Sequence, residues 1–97
     1  MSEPDILEDA CLTLEQLCAA CTLERDWLIR HVKEGLIPVS GTAVAEWRFT
    51  TTHLARARRM REIERTFDAQ PELAALVADM LEEMDDLRAR LRRAGQG

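Results

Sequence analysis

At 97 residues, 32% of them charged, the chain has room for one small core and one protruding element, so one domain with a helical extension is expected. Its net charge of −5 opposes a self-sufficient nucleic-acid reader, which needs a basic surplus to release counterions from phosphate. No run of about 18 apolar residues occurs, and the acidic start MSEPDILEDA lacks the basic-then-apolar layout of a secretion signal, so no membrane span and a cytoplasmic location are expected.

Ile6, Leu7, Cys11 and Leu12 bracket a stretch that reads as a strand or a tucked arm. Thr13 then opens a helix: Gln16 three residues on completes a capping box, and Leu12 with Leu17 is spaced as a hydrophobic staple. This first helix is expected from about Leu14 to Ala20, with Leu14, Leu17 and Cys18 facing the core. Thr22 is the expected cap of a second helix that buries Trp27, Leu28, His31 and Val32 and ends at Gly35 in a left-handed conformation. Two short helices joined by a tight turn make a helix-turn-helix. Leu36, Ile37 and Val39, with Pro38 marking an edge, are then expected to pair with Trp47, Arg48 and Phe49 as a small two-stranded wing around a loop over residues 40–45.

Thr50 caps a third helix whose apolar face is Leu54, Ala57, Met60, Ile63 and Phe67, its other faces being basic. Pro71 and Glu72 suit the start of a fourth. In it Leu73, Val77, Met80, Met84, Leu87 and Leu91 alternate by four and three residues, a heptad seam. Residues 71–93 would span roughly 35 Å, more than this core can cover. The seam is therefore the expected oligomer interface of a homodimer, the alternative being a helix folded back over the third. The resulting organisation is mainly α: a winged helix-turn-helix domain over residues 1–69, then a coiled-coil-like helix and short tail over 70–97.

No chemistry-bearing constellation stands out. Cys18 and Cys21, with His31 and Cys11, offer half of a zinc pattern, but no second ligand pair at finger spacing follows. The three thiols are read as buried core groups, and no metal or other cofactor is expected. No Ser-His-Asp set, paired-carboxylate pocket or Gly-rich phosphate loop can be drawn, so the chain is not expected to be an enzyme. Arg56, Arg58, Arg59, Arg61 and Arg65 on one helix are the argument for phosphate binding. Their expected partners are instead intramolecular: Glu62, Glu64 and the acidic first forty residues.

The order of these elements resembles the MerR family: a helix-turn-helix, a wing entered through Gly35-Leu36-Ile37-Pro38, the strand Trp47-Arg48-Phe49, a basic helix and a terminal coiled coil. That resemblance implies a MerR-like winged fold. Its DNA-reading pattern on the second helix, Thr-Leu-Arg-Tyr-Tyr-Glu, is replaced here by Trp27-Leu28-Ile29-Arg30-His31-Val32. Ile29 stands where the family's base-reading arginine does, and it can neither hydrogen-bond guanine nor neutralise phosphate. Glu24, Asp26 and Glu34 add negative charge to the same helix.

The same losses characterise the CbpM chaperone modulators, which this chain also resembles in its acidic N-terminus, its Trp-Arg-Phe strand, the Arg59-Met60-Arg61-Glu62 segment and the Asp68-x-x-Pro71 junction. That resemblance implies binding to the J-domain of a CbpA- or DnaJ-like co-chaperone and inhibition of its work with DnaK. It casts Glu15, Glu24, Asp26, Trp27, Ile29, Arg30 and Glu34 as partner-binding residues, the acids steering a basic helix and Ile29 or Trp27 supplying the apolar anchor. The alternative is a MerR-like DNA-binding transcription regulator.

Overall fold

The structure, a computed structural model, describes residues 11–96. It contains α1 (Leu14–Cys21), α2 (Arg25–Lys33), a single 3-10 turn (Val44–Glu46), α3 (Thr51–Phe67) and α4 (Pro71–Gln96). Most of the expected N-terminal strand or arm lies outside the described residues. Its last residue, Leu12, pairs with Phe49 through two backbone hydrogen bonds of 2.8 and 2.9 Å.

The capping chemistry sets the helix ends. Thr13 Oγ1 accepts from the Gln16 N–H at 3.1 Å while Gln16 Oε1 accepts from the Thr13 N–H at 2.9 Å, the reciprocal box that starts α1. Thr22 does not cap α2 as expected. It closes α1 instead, in the left-handed region at φ 56°, and lets the Leu23 N–H reach back to the Cys18 carbonyl at 3.0 Å. Glu24 takes the cap position of α2 and makes no side-chain cap bond. The turn is so short that the residue ending α1 cannot also begin α2. Gly35, at φ 78°, ends α2 as expected: its N–H bonds the Val32 carbonyl and the Leu36 N–H bonds the His31 carbonyl, each at 2.9 Å.

The expected two-stranded wing is reduced, among the described residues, to isolated bridges. Ser40 and Arg48 exchange hydrogen bonds of 3.1 and 3.0 Å, and the next residue, Phe49, turns its backbone to Leu12 on the other side. Two causes are local. Pro38 has no donor for a ladder, and the 3-10 turn consumes the return segment by bonding the Trp47 N–H to the Val44 carbonyl at 3.2 Å. The segment is held by its aromatics instead: Trp47 and Phe49 are buried, edge to face at 6.4 Å, among Leu17, Leu28, Ile37 and Met60.

From Asp68, again left-handed at φ 53°, the chain reverses and α4 folds back along α3. It does so through Ala74, Ala75 and Ala78, all buried, and not through the heptad seam. Small side chains let the two backbones approach closely, and three cross-helix ion pairs flank them. The seam residues Leu73, Met80, Met84, Leu87 and Leu91 are left between 43% and 71% exposed, with Val77 half-buried at the margin. Phe67 departs from expectation as well. It sits in the last turn of α3, 73% exposed, on the rim of a shallow apolar cleft that it lines with Ile63, Ala69, Leu73 and Val77.

Candidate interaction surface

The second helix has two chemically different sides. Inward, Trp27 and His31 lie one turn apart and stack with ring centroids 3.8 Å apart. Both rings are gripped by Glu64 of α3: Oε1 accepts from the Trp27 indole N–H at 2.8 Å, and Oε2 lies 2.7 Å from His31 Nε2. The other ring nitrogen, His31 Nδ1, is 2.7 Å from the Trp27 carbonyl. Arg61 stands over the Trp27 ring, its Cζ 5.8 Å from the centroid, and reaches Glu24 at 3.4 Å. His31 is 1% and Trp27 9% exposed, so this polar knot is interior; the Trp27 indole N–H and both His31 ring nitrogens face a partner, while the buried Arg61 Nε has none.

This geometry divides the expected contact residues. Trp27 is a core residue, as its helical spacing predicts, and its polar handle is spent on Glu64, so of the two anchor candidates Ile29 and not Trp27 lies toward the outward side. Ile29 is half-buried and shares the outward side with exposed Asp26, Arg30 and Lys33, and exposed Glu24 and Glu34 flank it at the helix ends. Two of the acids are occupied. Glu15 pairs with Arg25 at 3.6 Å, and Glu24 pairs with Arg61; a bond from its own backbone N–H, then the Arg61 guanidinium, hold the Glu24 carboxyl below the usual range. Among the described residues Asp26 and Glu34 carry no ion pair. The outward face thus presents an aliphatic centre between two uncommitted carboxylates, interleaved with the bases Arg30 and Lys33.

Three of the five α3 arginines, Arg56, Arg59 and Arg61, are partnered within the chain, mostly by different acids from those expected, and among the described residues Arg58 and Arg65 have no ion pair. Arg56 bonds Asp79 at 2.8 Å, Glu82 at 3.0 Å and, through Nε, the Leu36 carbonyl at 2.9 Å, pinning α3 to α4 and to the segment after α2. Arg59 takes Asp85 at 3.2 Å. Of the expected partners among the described residues, Glu24 is the one that serves, on Arg61. Glu64 is turned toward α2, and the acids of α4 lie nearer because that helix runs alongside. The thiols differ too: Cys11 is exposed and Cys18 and Cys21 are half-buried at the rim of α1. Burial pushes both half-buried thiols up, for Cys18 with help from Glu15. Both His31 nitrogens are committed to Glu64 and the Trp27 carbonyl, which takes that ring out of the half zinc pattern.

Sequence reasoning missed Glu64. The available signal was its register: Ala57, Met60 and Glu64 follow at three and four residues on the inner face of α3, so an acid was placed where an apolar group belongs.

A profile of the family described as MerR HTH family regulatory protein matches residues 12–96. The chain belongs to the MerR helix-turn-helix family. This MerR-family chain is also similar to the chaperone modulatory protein CbpM of Pseudomonas entomophila (strain L48), 28% identical over 78 residues that cover 80% of this chain and 77% of the relative. The protein of the same name from Pseudomonas putida (strain W619) is 27% identical with the same coverage. The resemblance to CbpM read from the sequence is thus found by comparison, and the relatives' names point to chaperone regulation. No solved structure matches the chain. Among the described residues of this MerR-family protein, no helix is long and apolar enough to cross a membrane.

Proposed function

We propose that this protein is a non-catalytic chaperone modulator that binds the J-domain of a DnaJ- or CbpA-like co-chaperone through the outward face of α2 and inhibits its activity with DnaK. The observation that carries the reading is the pairing of a family-level helix-turn-helix with a second helix that presents Asp26, Ile29 and Glu34 in place of DNA-reading groups. A basic helix laid on that face finds Asp26 and Glu34 uncommitted and Ile29 as the apolar centre; Arg30 serves at the rim, and Glu15 and Glu24 contribute once released from Arg25 and Arg61. DnaK, which docks on the same basic helix of a J-domain, is then excluded by competition. The division into a helix-turn-helix unit over residues 1–69 and a coiled-coil-like helix over 70–97 belongs to this reading, with a second copy as the occupant of the exposed seam of α4. The site of action is cytoplasmic, and no metal or other cofactor is required.

The test is to titrate an isolated J-domain with wild type and with the Asp26→Lys/Glu34→Lys variant. The variant should bind roughly ten-fold more weakly and lose most of the salt dependence. Unchanged affinity overturns the chosen face. A DNA-binding regulator is the second reading, favoured by the regulatory family match. Duplex DNA titrated at the same ionic strength decides it: tight DNA binding without J-domain binding reverses the ranking.

A further inference from the structure

The five arginines of α3 fall into two groups. Arg56 and Arg59 are saturated by α4, whose Asp79, Glu82 and Asp85 recur every three residues along the apposed helix. Arg58, Arg61 and Arg65 look the other way, around a cleft of about 340 Å³ that is also lined by Cys21, Glu62 and Thr66. Among the described residues, Arg58 and Arg65 have no ion pair, and Arg61 holds Glu24 only at 3.4 Å. An acidic protein thus leaves two guanidiniums uncommitted on the rim of a concave surface.

We infer that this outer face of α3 docks a short acidic helical segment of a partner protein, with Arg58, Arg61 and Arg65 as its carboxylate receptors. The contact already made by α4 shows the mode. Arginines three residues apart on α3 are met there by carboxylates three residues apart on a helix running alongside, and Arg58, Arg61 and Arg65 repeat that spacing, at three and four residues, on the opposite side. Planar guanidiniums favour carboxylate in such paired geometry. The local balance also limits the partner. Glu62 lies within the cleft and Glu24 beside Arg61, and the whole chain carries −5, so a short segment with two or three carboxylates is matched while an extended polyanion is repelled. This surface is separate from the outward face of α2, and its test does not depend on the J-domain.

The experiment uses the full chain and a labelled synthetic helical peptide bearing Asp or Glu at positions spaced like Asp79, Glu82 and Asp85, with an Asn/Gln counterpart as control. Fluorescence anisotropy should show binding of the acidic peptide that weakens with salt, and none of the amide peptide. Arg58→Glu/Arg65→Glu should weaken it at least roughly ten-fold, and Arg58→Gln/Arg65→Gln by less. Both pairs are exposed, so circular dichroism and the melting temperature should match wild type. The inference is overturned if the peptide does not bind, if charge reversal leaves its affinity unchanged, or if the amide peptide binds equally. It is overturned too if duplex DNA of equal charge binds this face more tightly, or if the arginines instead drive self-association.

Discussion

Between α2 and α3 the molecule buries polar groups; along α4 it exposes hydrocarbon. His31 is 1% exposed and the Glu64 side chain 11%, while Met80 is 55% and Leu91 71% exposed. The usual segregation is inverted at both places, for different reasons. Trp27 and His31 are tolerated inside because their polar atoms face a partner, Glu64 serving both at once. The apolar groups stay outside because α4 spends its alanine face on α3, and one helix cannot turn two faces to one neighbour. The Glu64 contacts are made within a single chain, whereas a continuous exposed apolar seam is left without a partner on α4 among the described residues, which is the ground for the proposed second copy.

The largest effect should come from breaking the closed side of this contrast. Glu64→Ala leaves the Trp27 indole N–H and a His31 ring nitrogen buried without an acceptor, which should cost about 2–4 kcal/mol in urea unfolding. Glu64→Gln, which keeps one acceptor, should cost about half as much. A loss below about 0.5 kcal/mol for the alanine variant would mean that the knot does not hold the helices together. The open side should respond in the opposite sense. Met84→Glu/Leu87→Glu alters residues 43% and 48% exposed, so stability should change by about 0.5 kcal/mol or less, while self-association measured by sedimentation equilibrium should disappear. If the wild type is already monomeric at about 100 μM, well above the range in which a seam of this length should pair, the second copy is not its occupant.

What could be read beforehand follows the same division. Local rules act within a few residues, and so the capping box of α1, the Thr50 cap of α3, the Gly35 turn and the helical core faces were legible in the sequence, whereas the part of His53 in the α3 box was not. Thr22 was misassigned because a threonine suits the start of a helix far better than a left-handed end, and only the tight connection forces it there. The wing was overread because alternation in Leu36–Val39 and Trp47–Phe49 predicts strands without revealing that a 3-10 turn takes the residues between. The register of Glu64 marks it as facing inward, but which groups it serves, like the pairing of Arg56 with Asp79 and Glu82, depends on which helices become neighbours, and no local pattern carries that. On the candidate face, Asp26 and Glu34 were legible as charges, but their difference from Glu15 and Glu24 emerges only when Arg25 and Arg61 are placed in space.

The smallest expected effect lies at the start of α3, the helix that both sides share. The capping box there uses His53 where α1 uses Gln16: the Thr50 N–H donates to His53 Nδ1 at 3.2 Å, so this ring nitrogen must be unprotonated. Burial pushes His53 below its usual value of 6.5. As pH falls through 6.5, the unfolded chain takes up a proton before the folded one does. The stability contributed by neutral His53, fully present above 6.5, is therefore lost progressively as pH drops through the lower folded value. The melting temperature should fall over that interval, and His53→Gln, which keeps the acceptor without the titration, should flatten the decline. An unchanged slope in that variant would assign the acid sensitivity to another group and leave the box indifferent to the identity of its third residue. A flattened one would show that this helix start is tuned by pH while the Gln16 box of α1 is not.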